Sequence, residues 1–258
     1  MKYRLFIKKG LEASSFVSNI LDVVSIDSRF QKDEVDPELI IVIGGDGTFL
    51  KAAQATFPKN KETRYLCFNA GTIGFYNDFS EEDIKDIPAI VFDKKFLLRE
   101  IDVLETHCKE ATYYALNEFN LTGLSQNIDY DIALDKEYLE HYFGAGIIVS
   151  TVSGSMAYNR SLNGAILDSS LRVMELTEVA SIRSKAHKTI GSPLVINANR
   201  TINFKSDSSR RGYLYADGFK VSERSIDQLS VKMSTKALHC YTKKKDYFVD
   251  RIHKTIDL

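Results

Sequence analysis

The sequence predicts an α/β N-terminal domain with a parallel sheet, followed by an all-β sandwich domain. Three observations carry that expectation. Strand-like and helix-like segments alternate over residues 1–92, the pattern of a parallel sheet with crossover helices. One stretch, Ile40–Leu50, joins a buried strand to a glycine turn and a helix start. Beyond Phe92 the helical spacing stops and short strand candidates follow one another.

Taken in order, Tyr3–Ile7 reads as the first strand. Ser14–Leu21 carries Phe16, Val17, Ile20 and Leu21 at helical spacing. Gln31–Glu38 is charged, holds Pro37 and reads as loop. Leu39–Ile43 is apolar and includes four consecutive β-branched residues, the composition of a strand buried on both faces. Thr48–Phe57 is a predicted helix stopped by Pro58, and Arg64–Phe68 is a third strand. Ser80 is placed to cap a helix through Ile84 and Ile87, with Pro88 ending it. The β-region offers Phe96–Val103, Thr112–Leu116, Phe119–Thr122, Ile128–Leu134, Tyr138–Phe143 and Gly146–Ser150, with Asp135-Lys136 at a hairpin tip. It resumes with Leu194–Ile196, Thr201–Phe204, Gly212–Tyr215, Leu229–Met233 and Leu238–Tyr241. Lys243–Asp246 is a charged link. Tyr247–Ile256 reads as a last helix, with Val249, Ile252 and Ile256 on one face. The expected division is therefore 1–92 for the α/β domain and 93–245 for the sandwich. Residues 246–258 are expected to pack back on the first domain.

Composition narrows the function classes. The 258 residues are 44% hydrophobic, enough for a substantial core. Lys and Arg total 34 against 35 Asp and Glu, a net charge of −1. That balance argues against nucleic acid as the main partner. No apolar run reaches the length of a membrane span. The opening MKYRLFIKKG has too short an apolar core for a signal peptide. The three cysteines, Cys67, Cys108 and Cys240, lack C-x-x-C spacing and read as reduced thiols of a cytoplasmic protein. His107-Cys108 and His239-Cys240 are adjacent pairs on strands, pointing to opposite faces, so neither chelates a metal easily.

The chemistry centres on Gly44, Gly45, Asp46 and Gly47. Glycines between a strand and a helix start let backbone amides and the positive helix end face an anion. Asp46 is a carboxylate in a phosphate cradle, which repels phosphate unless it has another task. It could accept a proton from an attacking hydroxyl, orient that hydroxyl or hold a metal ion. The alternative is a plain Gly-Asp-Gly turn. The P-loop lysine and the G-x-G-x-x-G spacing are both absent. At the next strand end, Phe75 and Tyr76 either wall an aromatic ligand or pack as part of a lid. Asn117-Glu118 pairs an amide with a carboxylate, which suits a sugar diol or an adenine edge. Residues 144–159 run from a buried strand through a loop of small hydroxyl residues to Tyr158. Hydroxyls there could read a base and Tyr158 could stack on it; the other reading is a Ser/Thr-rich capped turn.

These motifs are similar to those of the NAD kinases of Gram-positive bacteria. The matching pieces are GGDGTFL at 44–50, NAGTIGFY at 69–76, LNE at 116–118, STVSGSMAYNRSLNGA at 150–165 and TIGSPL at 189–194. The resemblance implies phosphoryl transfer from ATP or inorganic polyphosphate, with Mg²⁺, to the adenosine 2′-hydroxyl of NAD, giving NADP. It also implies a site between an α/β and a β-sandwich domain, the latter serving NAD binding and assembly into a homotetramer. Carried over by residue, Asp46 is the proton acceptor and Gly44, Gly45 and Gly47 hold phosphate. Asn117 and Glu118 bind the adenosine and ribose. Phe75, Ala145, Ser153, Met156, Ala157, Tyr158, Asn159, Arg160 and Ser161 line the dinucleotide pocket, and Ala180 touches its nicotinamide end. The chain departs from the family at Phe143 and Ala145, where Arg and Asp are usual, and at Val152 and Met156, where Pro and Thr are usual. Lost hydrogen bonds of this kind imply a changed NAD affinity. Two alternatives stand beside this reading: a catalytically weak dinucleotide-binding regulator of the same fold, or a lipid or sugar kinase sharing the glycine loop.

Overall fold

The computed structural model describes residues 1–57, 63–71, 74–93, 96–108, 111–185, 187–244 and 248–255. The chain forms two compact units, Met1–Ile101 with Lys236–Leu258, and Asp102–Thr235.

The first unit begins with β1 (Lys2–Ile7), α1 (Ser15–Ile26), β2 (Gln31–Lys32), β3 (Leu39–Gly44), α2 (Asp46–Thr56), β4 (Arg64–Asn69), a 3₁₀ turn at Glu81–Asp86, α3 (Ile87–Phe92) and β5 (Leu97–Ile101). Ser14 caps α1 by accepting the Val17 amide, and Val17, Ile20 and Val24 form its buried stripe. All six residues of β3 are buried, as its β-branched run requires. The second unit holds β6 (Leu104–Cys108), β7 (Ala111–Ala115), β8 (Glu118–Thr122), β9 (Ile128–Leu134), β10 (Glu137–Gly144) and β11 (Gly146–Thr151). After a 3₁₀ turn, Gly154–Met156, come α4 (Tyr158–Ser161), β12 (Val173–Val179), β13 (Leu194–Asn197), β14 (Thr201–Lys205), β15 (Tyr213–Ala216), β16 (Phe219–Lys220) and β17 (Gln228–Met233). The chain then returns to the first unit as β18 (Leu238–Thr242) and α5 (Phe248–Thr255).

The first unit's sheet has the order β2-β1-β3-β4-β18-β5. Every neighbouring pair is parallel except β18 with β5. The register sets Gly44 opposite Asn69, so the loops leaving β3 and β4 emerge side by side at the carboxyl edge. The second unit has two antiparallel sheets, β10-β9-β14-β17-β6-β7 and β13-β12-β11-β8-β15-β16. Both contribute to one core, with Ile128, Tyr130 and Ile132 from the first and Phe119, Leu121 and Ile147 from the second. The predicted α/β and all-β classes are those observed.

Several expectations need correction. The first unit extends to Ile101 rather than ending at Phe92, and β18 belongs to its sheet, not to the β unit. Pro88 does not end a helix; it sits in the first turn of α3, where a missing N–H costs nothing. Helix α2 starts at Asp46, two residues before the predicted Thr48. Gln31–Lys32 forms a short parallel pairing with β1 instead of loop. Strands β6 and β12 fall outside the strand candidates, and each carries a buried acid, Glu105 or Glu175, within its apolar pattern. Glu105 is matched by the Ser234 hydroxyl at 2.7 Å and Lys232 at 3.1 Å. Val249 does not pack inward but is 58% exposed, and among the described side chains of α5 the buried one is Arg251. The expected stop at Pro58, half of the 243–246 link, the ends of the last helix at Tyr247 and Ile256, and Thr72-Ile73 of the second glycine loop lie outside the described residues.

Candidate functional site

In the first unit, Gly44, Gly45 and Gly47 have different reasons to be glycine. A Cβ on Gly44 would lie 2.4 Å from Thr48 Oγ1, so packing inside the loop excludes a side chain. A Cβ on Gly45 or Gly47 would meet no described atom within 4 Å. Packing does not demand glycine at those two positions, and the space above them is open. Gly45 is the N-cap of α2 and supplies no side-chain cap, and its carbonyl accepts the Thr48 amide at 2.9 Å. A glycine turn leading into a helix start is the type of backbone that takes phosphate.

Asp46 is the first residue of α2 and is half-buried. The Phe75 amide donates to both Asp46 carboxylate oxygens at 2.9 Å, and the Tyr76 amide donates to Oδ1 at 3.0 Å. A carboxylate bound by backbone amides has a fixed orientation. The turn that supplies those amides is itself anchored. Asn77 Nδ2 donates to the Gly44 carbonyl at 3.3 Å, and the buried Tyr76 ring lies 4.6 Å from Phe49 of α2. Of the two sequence readings for Phe75 and Tyr76, Tyr76 takes the packing role. Phe75 is half-buried, edge-on to Tyr76 at 4.9 Å.

In the second unit, Asn117 and Glu118 open β8. The carboxylate of Asp217 accepts the amides of Leu116 at 3.0 Å, Asn117 at 2.7 Å and Glu118 at 3.2 Å. The Asn117 carbonyl accepts the Thr151 amide at 2.9 Å, and the Thr151 hydroxyl donates to the Leu116 carbonyl at 2.5 Å. A Cβ on Gly154 would lie 2.0 Å from the Asn117 carbonyl oxygen, so the hydroxyl-rich loop closes against this strand start only with glycine there. The structure therefore brings Asn117, Glu118 and the 151–154 loop together.

The face of this sheet turned away from the core carries Glu118, Ser150 and Glu175 in one row across β8, β11 and β12. All three are buried. Glu175 accepts from Asn159 Nδ2 and the Ala165 amide, both at 2.8 Å. Glu118 Oε2 and Ser150 Oγ have no hydrogen-bond partner among the described residues. Burial, and then the neighbouring charge of Asp217, push the Glu118 carboxyl up to about 8. A buried carboxyl with an unmatched oxygen favours a ligand hydroxyl or amine beside it.

The remaining predicted residues divide by exposure. Tyr158 and Ser161 are exposed, and Ser153, Met156, Ala157 and Arg160 are half-buried around the short helix α4. Asn159 differs: it is fully buried, with its carbonyl oxygen bonded to Thr177 at 2.6 Å and its amide to Glu175. That side chain ties α4 to β12. Ala180 adopts a left-handed φ of 48° and is exposed. It lines a cavity of about 380 Å³ with Leu162, Thr177, Glu178, Ser181 and Pro193. Beside it, Glu140 accepts the Ile190 amide at 2.6 Å and Glu178 accepts the Gly191 amide at 2.8 Å. Burial, together with its neighbour Glu178, raises the Glu140 carboxyl to about 7. Ala145 is half-buried, with its N–H on the Val179 carbonyl at 3.0 Å. The Phe143 ring stacks on His187 at 4.6 Å.

Asp217, Ser150 and Glu175 are the polar residues that sequence patterning did not assign to the site. Asp217-Gly218 carried a signal, since Asp-Gly between two strands marks a two-residue hairpin turn. Both residues have positive φ, 50° and 80°, and join β15 to β16.

A glycine loop with one oriented carboxylate, and a β unit with an unmatched buried carboxyl and a cavity, are the equipment of a nucleotide phosphotransferase. Known proteins make the class specific. The ATP-NAD kinase N-terminal domain family matches residues 17–96, and the ATP-NAD kinase C-terminal domain family matches residues 119–242. NAD kinase 1 of Listeria monocytogenes serotype 4b (strain F2365) is 30% identical over 259 residues, covering 98% of each chain. The NAD kinase of Geobacillus stearothermophilus is 33% identical over 203 residues, 76% of this chain and 75% of that one. Among solved structures, yeast NADH kinase complexed with NADH has a TM-score of 0.84 at 18% identity, over 100% of this chain and 88% of that chain. An NAD kinase from Archaeoglobus fulgidus in complex with ATP has a TM-score of 0.79 at 19% identity, over the whole of both chains. The chain belongs to the NAD kinase family. It is an enzyme that phosphorylates NAD to NADP.

Proposed function

We propose that this NAD kinase acts on the adenosine 2′-hydroxyl of NAD, with Asp46 as the group that takes its proton. The observation that carries the assignment is the Asp46 carboxylate, oriented by the Phe75 and Tyr76 amides at the opening of the glycine loop. The 2′-oxygen attacks the terminal phosphorus of the donor, the bond to the leaving phosphate breaks, and the hydroxyl proton passes to Asp46. Phosphoryl transfer requires little covalent help from protein, so positioning and charge neutralisation dominate. Gly45 and Gly47 offer amides to the donor's phosphates, and Gly44 shapes the turn.

Asn117 and Glu118 hold the adenosine and its ribose, with the unmatched Glu118 oxygen supporting a partner there. Ser153, Met156, Ala157, Tyr158, Arg160 and Ser161 line the dinucleotide, with Phe75 and Ala145. Ala180 and its cavity take the nicotinamide end. The donor is ATP or inorganic polyphosphate. Mg²⁺ would arrive with the donor and neutralise phosphate charge. It is commonly held by one or two carboxylates plus substrate phosphates, so no protein cage is needed. Among the described residues no cluster of three His, Cys, Asp or Glu could form one. The working assembly is a cytoplasmic homotetramer. The test is NADP formation from NAD with each donor by the wild-type protein and by Asp46→Asn. Loss of a positioned base typically costs about 10²–10⁴-fold in rate. Turnover of the variant within about tenfold of wild type would remove Asp46 from the role.

A further inference from the structure

The C-terminal segment grips the turn that holds Asp46. Arg251 of α5 is a buried cation, with 6% of its surface exposed. Its guanidinium carbon lies 4.4 Å from the centroid of the Phe75 ring. That distance is well within cation–π range, and a desolvated pair is the stronger kind. Phe75 is the residue whose amide donates to both oxygens of Asp46. Its ring continues edge-on into Tyr76, and Tyr76 lies on Phe49, three residues beyond Asp46. A second grip lies close by in sequence: the Thr242 hydroxyl donates to the Asp78 carboxylate at 2.5 Å. A third is Lys243, 2.7 Å from Asp83 and over the Phe79 ring at 5.5 Å. Residues 75–83 are thus clamped by Thr242, Lys243 and Arg251, all from the returning chain.

We propose that Arg251 is a positioning residue for phosphoryl transfer: by pressing on the Phe75 ring it fixes the turn whose amides orient the Asp46 carboxylate. This inference rests on Asp46 being the proton acceptor. A helix that merely needed anchoring would be served by an apolar side chain. A buried guanidinium carries a desolvation cost that an apolar residue avoids. Its guanidinium lies over the Phe75 ring.

The experiment compares Arg251→Met and Arg251→Lys with wild type in the full-length protein. Methionine keeps the apolar stem and lysine keeps the charge. The measurements are kcat and KM for NAD, hydrogen exchange at the Phe75 and Tyr76 amides, and thermal melts to give the folded fraction. Small misplacements of a reacting group can cost up to about 100-fold. The expectation for Arg251→Met is a kcat lowered about 10- to 100-fold per folded molecule, KM within about threefold, and faster exchange at both amides. Arg251→Lys should recover part of the loss. A kcat for Arg251→Met within about twofold of wild type would overturn the proposal. So would unchanged exchange at the two amides, or a lysine variant no better than methionine. Asp46→Asn assayed in parallel separates the two claims. If it keeps turnover, the base assignment falls and this inference with it. If it loses turnover while Arg251→Met does not, only the brace falls.

Discussion

Asp217 Oδ1 accepts the backbone N–H of Asn117 at 2.7 Å, joining two residues 100 positions apart in the sequence. The same carboxylate takes the amides of Leu116 and Glu118. One hairpin turn thereby shapes the strand start that carries Asn117 and Glu118. Its left-handed φ of 50° suits Asp and Asn and few other residues.

That relationship makes Asp217→Asn informative. Asparagine keeps the backbone conformation and one acceptor, but turns a donor toward an amide. Leaving a buried donor unmatched costs about 1–3 kcal/mol. The expected outcome is a lower melting temperature and NAD affinity weakened about tenfold, which is about 1.4 kcal/mol. Calorimetric titration beside thermal melts checks both, and unchanged affinity would show that the strand start does not depend on this clamp.

Gly47→Ala separates packing from ligand contact. Gly47 lies in the first turn of α2 and a Cβ there meets no described atom within 4 Å. Alanine in a helix is favoured over glycine by about 1 kcal/mol, so the melting temperature should hold or rise. If the loop takes the donor's phosphates, the methyl group occupies their space, and kcat/KM for ATP should fall by an order of magnitude or more. Full activity in the variant would place the phosphates elsewhere.

Glu118 makes a signed contribution to stability against pH. Its carboxyl is raised from 4.5 to about 8 by burial and then by Asp217, so the fold prefers the neutral acid. The contribution is present in full below about 4.5 and is lost as pH rises through about 8. Glu140, raised to about 7, acts in the same direction. Both wild type and Glu118→Gln should therefore lose stability over this range, the wild type more steeply. Melting temperatures from pH 5 to 9 for the two proteins read the difference, and parallel curves would contradict the assignment.

The first unit's loops were legible because their signals are local. A β-branched run, three glycines in four positions and one carboxylate mark the Gly44–Gly47 turn without knowledge of any distant residue. The sheet to which a strand belongs is not a local property. The candidates Phe96–Val103 and Leu238–Tyr241 hold strands β5 and β18, yet the pairing of β18 with β5 and with β4 is a long-range choice. Buried acids mislead in a different way. Glu175 breaks the apolar alternation of β12, and only its contacts with Asn159 and the Ala165 amide explain its place inside. Asn159 lies between Tyr158 and Arg160 in the predicted pocket segment. In the folded chain its position on the short helix turns it inward.

The central claim is that transfer chemistry rests on Asp46 while dinucleotide binding rests on other residues, chiefly those of the β unit, and titration of NAD into Asp46→Asn tests it most directly. The account predicts a Kd within about threefold of wild type in a variant whose turnover has fallen by about 10² or more. A Kd weakened in step with the lost turnover would contradict it, because Asp46 would then be holding NAD rather than taking its proton.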